Sequence, residues 1–223
     1  MRSNAIELRP YETRAIAFLA LAYLAGVAGI HFTVHASFIL LTPFNLLLSL
    51  ALALVFHRGW TKEMSIFLAL CYAVGFGAEL FGVQTGLLFG EYAYGPVLGP
   101  KVWGTPLMIG VNWMLVSYTT GMTVNAIGGR WHWAWRAVAG ALLMVILDLF
   151  IEPVAMAFNF WSWEGDVVPL RNYFGWFFVS LPLQTYFAFH FGEKRNKVAV
   201  ALFIMQLAFF VLLGMLNINF ARG

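Results

Sequence analysis

The chain has 223 residues, 61% of them hydrophobic and 10% charged, with a mean hydropathy of +0.80 and a formal net charge of +3. Soluble domains carry about 25% charged residues, so the composition argues against a soluble enzyme. Long uninterrupted apolar runs, in place of short alternating ones, argue against a β-barrel. The single cysteine, Cys71, leaves no partner for an internal disulfide and cannot build a cysteine-ligated cluster.

The first fourteen residues are polar and lack the apolar core of a signal peptide, so the first span is expected to be retained. A membrane span needs about 20 apolar residues. By that measure seven helices are expected, near 15–34, 37–56, 64–83, 106–127, 134–154, 173–190 and 198–217. The fold class is therefore all-α: a polytopic membrane bundle forming one transmembrane domain over residues 1–223. The turn between the first two spans is short enough to make them a tight hairpin.

Lysine and arginine set the expected orientation. Ten of the 13 fall before span one or in the connections after spans two, four and six. Under the positive-inside rule these ends are cytoplasmic, as is the N-terminus, while the C-terminus lies on the other side of the cell membrane. Because the basic residues separate apolar runs, they report orientation rather than nucleic-acid binding.

Two stretches stand apart from the spans. Residues 79–106, ELFGVQTGLLFGEYAYGPVLGPKVWGTP, open on Glu79 inside an apolar run and are rich in glycine and aromatics. They are too glycine-rich for a good helix and too aromatic for a solvated loop. Irregular backbone of this kind is tolerated at membrane depth only where protein buries it. The same grammar returns at residues 148–176, an acid-bearing run followed by FNFWSWEGDVVPLRNYFGW. Two such units suggest one site. No tandem repeat is evident beyond a weak likeness between spans three and five, each with an acid near its end.

The orientation predicts that polar groups gather in one layer, at the non-cytoplasmic end. Glu79, Asp148, Glu152, Thr42, Asn45 and Asn112 fall there, with His31 and His35 ending span one and Asn217 and Asn219 ending span seven. Asp148 and Glu152, four apart, share a helix face. A charged carboxylate at a helix centre costs roughly 2.5–3.5 kcal/mol on insertion scales, and intramembrane acids are functional by default. Their structural alternative is to cap or bridge helices.

Several chemistries fit poorly. Retinal proteins need a lysine inside a span, and Lys62, Lys101, Lys194 and Lys197 all lie outside them. Membrane di-iron enzymes need many clustered histidines, and only His31 and His35 form an HxxxH pair. Prenyltransferases need two aspartate-rich motifs, of which Asp148 and Glu152 make at most half of one. What remains is acid chemistry on an apolar substrate without metal or redox cofactor, or else binding or transport.

The order Glu79, Gly82, Thr85-Gly86, Phe89-Gly90, Tyr92, Tyr94, Leu98-Gly99-Pro100 and Thr105-Pro106, followed by Trp113 and Tyr118, resembles the carotenoid biosynthesis membrane proteins, the carotenoid 1,2-hydratases of γ-carotene and bisanhydrobacterioruberin. Asp148, Glu152-Pro153, Trp161-Ser162-Trp163, Pro169-Leu170 and Asn172-Tyr173-Phe174-Gly175-Trp176 continue it, so the likeness covers roughly residues 75–176. The chain departs from that pattern at Glu152-Pro153, where Asp-Pro is usual, and at Val167-Val168-Pro169, where Gly-Val-Pro is usual.

The resemblance implies hydration of the terminal double bond of a linear carotenoid end group to a tertiary alcohol. Protonation at C2 leaves a tertiary cation at C1, and water adds there. Asp148 is the expected acid with Glu79 its partner and Glu152 the third catalytic carboxylate; the roles of Asp148 and Glu79 are interchangeable at this level. Asn45 and Asn112 are candidates to hold water. Glu91, Tyr92, Tyr94, Trp113, Tyr118, Trp161, Trp163, Asn172 and Trp176 are candidates to line the substrate site, where aromatic faces favour a cation. No cofactor and no metal are implied. The implied partners are the carotenoid, water, membrane lipid and other enzymes of the pathway. A polyene can enter sideways from lipid. A cofactor-free cyclase, passing through the same cation, and a carotenoid-binding or transport protein are the other readings.

Overall fold

The apolar runs become helices because, in lipid, a helix satisfies every backbone group internally. The computed structural model describes residues 9–32 and 36–220. Among them are seven α-helices: α1 (Arg9–His31), α2 (Thr42–Val55), α3 (Lys62–Thr85), α4 (Leu107–Ile127), α5 (Trp133–Ala157), α6 (Leu170–Phe191) and α7 (Lys197–Phe220). A 3-10 turn, Ala36–Leu41, leads into α2. The expected hairpin turn between the first two spans, and His35 with it, falls on residues outside those described.

The protein is an all-α membrane bundle. Five helical stretches are long and apolar enough to cross a membrane: Pro10–His31, Phe38–Val55, Lys62–Thr85, Trp133–Ala157 and Lys197–Leu216. Helices α4 and α6 are of similar length but more polar, and their polar groups are turned into protein. Ser117, Thr119, Thr120 and Asn125 of α4 and Asn172, Ser180 and Gln184 of α6 are all buried. The Gln184 amide ties the two helices together, donating to the Ser117 carbonyl and the Thr120 hydroxyl at 2.9 Å each.

Helix ends differ from the expected ones for local reasons. Helix α1 starts earlier, at Arg9, where Glu12 accepts from Arg58 at 2.8 Å. Helix α5 runs through Pro153 to Ala157 and so carries Glu152 inside the helix rather than at its edge. Helix α3 ends at Gly86, whose φ of 66° is a left-handed conformation that glycine adopts without a Cβ penalty. Arg136, counted above among the orienting charges, is buried and donates to the carbonyls of Trp131, Gly129 and Gly192.

The two connections on either side of the α4–α5 pair fold onto each other. Strand β1 (Tyr92–Tyr94) pairs antiparallel with β4 (Trp161–Trp163), in the register Tyr92↔Trp163, Ala93↔Ser162 and Tyr94↔Trp161. A second hairpin, β2 (Lys101–Val102) with β3 (Thr105–Pro106), turns through Trp103 at φ 47° and Gly104 at φ 81°. Two positive φ values are the signature of a tight type I′ turn. It delivers Pro106 to the start of α4.

The weak likeness between spans three and five extends further in the structure. Helix α3, aromatic strand, proline and helix α4 recur as α5, aromatic strand, proline and α6. The spacing is kept in Pro106-Leu107, Trp113, Ser117 and in Pro169-Leu170, Trp176, Ser180. Trp113 and Trp176 stack on each other, centroids 4.5 Å apart at 19°.

Candidate active site

Strand alternation puts residues i and i+2 on one face. On the β1–β4 ribbon this gathers Tyr92, Tyr94, Trp161 and Trp163 on the face turned to the helices, and leaves Ala93 and Ser162 exposed. Their rings pack across the strands, Tyr92 with Trp163 at 4.8 Å and Tyr94 with Trp161 at 5.9 Å between centroids. The ribbon is an aromatic lid over the acids.

Each strand clamps one glutamate. Glu79 Oε2 accepts from the Tyr92 hydroxyl at 2.6 Å and the Tyr94 hydroxyl at 2.7 Å, and its Oε1 from Trp113 Nε1 at 3.1 Å. Glu152 Oε2 accepts from Trp161 Nε1 at 2.9 Å and Trp163 Nε1 at 2.8 Å, and its Oε1 from Asn172 Nδ2 at 3.2 Å. Burial, reinforced by the Glu79 carboxylate, pushes the Tyr92 and Tyr94 hydroxyls above the usual tyrosine range, so both remain donors.

Asp148 is held differently. It is fully buried, and its Oδ2 accepts from Asn172 Nδ2 at 2.7 Å. Its Oδ1 has no hydrogen-bond partner among the described residues. Of the six oxygens on these three carboxyl groups it is the one left without a donor. Asn172, bonded to both Asp148 and Glu152, fixes their relative position.

The repeat shows what is special here. Glu79 and Glu152 correspond, and the position four before each is Gly75 in the first unit and Asp148 in the second. A Cβ on Gly75 would lie 2.2 Å from Trp113 Cγ, so that glycine makes room for the tryptophan. Three residues past the proline, the first unit has Ile109 and the second Asn172. The second unit alone carries the Asp148–Asn172 pair.

All three acids line one small cavity of about 20 Å³, together with Tyr92, Tyr94, Ile109, Asn112, Ile151, Trp161, Trp163, Asn172 and Trp176. That is room for about one water. Among the described residues no group of three or more His, Cys, Asp or Glu is placed to hold a metal ion. The acids flank the cavity rather than converge on one point.

Eleven of the fourteen residues singled out from the sequence meet here: ten line the chamber, and Trp113 backs it through Glu79 and Trp176. Three do not. Asn45 lines a neighbouring apolar groove. Tyr118 is buried elsewhere, bonded to His57 Nδ1 and to Asn196 Nδ2 at 2.9 Å each. Glu91 is exposed on the loop, its carbonyl accepting from the Glu164 amide at 2.9 Å. A side-chain hydrogen bond with Glu91, and then the Glu91 charge, raises the Glu164 carboxyl above the usual carboxylate range. Of the wider polar layer, Thr42 bonds the Ile39 carbonyl at 2.6 Å and lines the groove with Asn45, while the Asn217 and Asn219 side chains lie outside those described. Sequence reasoning missed Ile109 and Ile151. Ile151 was findable, since it is three residues from Asp148 and shares its helix face.

A wider hollow, about 540 Å³, is at the other end of α3 among Glu12, His57, Arg58, Lys194 and Lys197. Its charged rim suits solvent and not an apolar substrate.

Fold and site together define a helical membrane protein that buries a set of carboxylic acids under an aromatic lid. A family model described as carotenoid biosynthesis protein matches residues 35–222, and the chain belongs to that family. The bisanhydrobacterioruberin hydratase of Haloarcula japonica is 35% identical over 106 residues, a stretch covering 45% of this chain and 36% of that protein. The match thus spans about a third of the length of that relative. No solved structure matches.

Proposed function

We propose that this protein is a carotenoid 1,2-hydratase, adding water across the terminal C1–C2 double bond of a linear carotenoid without a cofactor. The observation that carries the reading is the free Asp148 Oδ1 on a cavity of about 20 Å³, the size of one water. The hydratase name of the Haloarcula relative supports it.

Asp148 is the proton donor in this reading. Its Oδ1–H passes the proton to C2, and the π electrons of C1–C2 form the new C–H bond. The cation left at C1 is tertiary and lies among the faces of Trp176, Trp163 and the tyrosines, which favour positive charge. Water held near Asn112 adds its oxygen to C1. It then gives up a proton to a flanking carboxylate, Glu79 or Glu152, and exchange with water returns a proton to Asp148. The net change is one water added. A positioned acid of this kind contributes about 10²–10⁴ in rate. The lid excludes bulk water, which would otherwise weaken each of these interactions.

The site end of the bundle is assigned to the non-cytoplasmic face of the cell membrane, and the N-terminus to the cytoplasm, on the distribution of Lys and Arg. The test is expression in cells that accumulate lycopene, grown in heavy-oxygen water. The expected pigment gains one water and carries the heavy oxygen. An isomer of unchanged mass would identify a cyclase instead, and unaltered pigment would leave binding or transport.

A further inference from the structure

Beside the acid chamber runs an apolar groove of about 320 Å³, walled by α1, the 3-10 turn, α2 and α7. Its rim residues Phe18, Leu41 and Phe44 are exposed, and its floor residues Leu46, Val154 and Leu213 are buried. A smaller space of about 50 Å³ lies between groove and chamber. Asn112 and Ile151 line all three. The groove therefore leads from the apolar surface of the bundle to the acids through one doorway.

We infer that the polyene chain of the substrate lies in this groove and feeds its end group past Asn112 and Ile151 into the chamber. The occupant must be long, since it has to reach from rim to acids, and almost wholly apolar, since among the described residues no charged side chain lines the groove. One feature marks the groove as a site and not a packing defect. The Gln206 side chain is buried on its wall, and its Oε1 has no donor among the described residues. A buried acceptor left alone costs about 1–3 kcal/mol, so an occupant that brings a donor, water or the hydroxyl of a hydrated end, is favoured there.

The inference rests on the hydratase reading for its chemistry, but binding can be measured apart from turnover. The full chain, purified in detergent, is titrated with lycopene, and binding is read from circular dichroism induced in the polyene band. Ala22 lines the groove, and Ala22→Trp fills it. The neighbouring Leu21 faces outward, 68% exposed, so Leu21→Trp adds the same bulk outside it. We expect at least tenfold weaker binding and an equal fall in kcat/KM for Ala22→Trp, with Leu21→Trp and Asp148→Asn binding as wild type. Equal binding and turnover by Ala22→Trp and wild type would overturn the assignment. Should Ala22→Trp not fold, a photoreactive benzoylphenylalanine at Phe44 decides: a lycopene adduct supports the groove, and adducts to lipid acyl chains alone under excess lycopene refute it. Groove-dependent binding with no water ever added would remove the hydratase reading and leave the groove standing. Undiminished hydration by a folded Ala22→Trp would do the reverse.

Discussion

Asp148→Asn and Glu79→Gln make the same chemical change, acid to amide, yet the two sites demand different outcomes. Asp148 accepts one hydrogen bond, from Asn172, and its other oxygen is free. An asparagine accepts that bond with its own oxygen and turns its amide into the chamber. The fold should lose no more than about 1 kcal/mol, while the transferable proton is gone. Loss of a general acid lowers rate by about 10²–10⁴, or roughly 2.7–5.4 kcal/mol of transition-state stabilisation. Glu79 receives three donors on two oxygens. A glutamine keeps one acceptor oxygen: if its amide faces Trp113, it meets Nε1–H donor against donor, and if its amide faces the tyrosines, it donates to their hydroxyl oxygens and leaves the Tyr94 O–H without its acceptor. Leaving one buried donor unpaired costs about 1–3 kcal/mol of stability. The assay is product mass from membranes with matched amounts of folded protein, run beside thermal unfolding in detergent. Asp148→Asn should be inactive and stable, and Glu79→Gln measurably less stable. Activity of folded Asp148→Asn within tenfold of wild type would refute the assignment of the acid, and an unfolding midpoint lower than that of Glu79→Gln would refute the accounting of donors.

Three further outcomes follow from the geometry. Trp163→Phe keeps the ring in the lid but deletes the 2.8 Å bond to Glu152; it should cost about 1–3 kcal/mol, read as a lower unfolding midpoint. Gly75→Ala places a Cβ 2.2 Å from Trp113; the displaced indole should cost about 1–3 kcal/mol as overpacking and shift tryptophan emission as its stack with Trp176 opens. The His57 ring titrates below its ordinary range, because burial and then the Lys194 charge disfavour its protonated form. With a depressed folded-state pKa, the unfolded chain takes up the proton first. Stability is then intact above the unfolded pKa of about 6.5 and is lost as pH falls from there through the folded value. Unfolding midpoints measured from pH 8 to 5 should drop over that window, and His57→Gln should flatten the drop.

Membrane residence, the helical class and the presence of acids inside apolar runs were legible in the chain, because each follows from local composition. A run of apolar residues must become a helix in lipid whatever surrounds it, and an acid inside such a run must find partners. Asp148 and Glu152 could be placed on one face from their spacing alone. The likeness of the two glycine-rich and aromatic stretches pointed to one site, and Tyr92, Tyr94, Trp161 and Trp163 all arrived there.

What local sequence did not carry was partnership between distant segments. Nothing in residues 92–94 specifies pairing with 161–163, since three-residue strands have no register signal of their own; their alignment is set by the helices that bring the loops together. That pairing decides which donors reach which acid, and thereby leaves Asp148 Oδ1 free while closing both glutamates. It also separates residues that a shared depth had grouped, sending Asn45 to the groove and Tyr118 to His57 and Asn196. Depth in a membrane is a one-dimensional coordinate that sequence supplies. The angle around the bundle at which each side chain points is fixed only when seven helices pack.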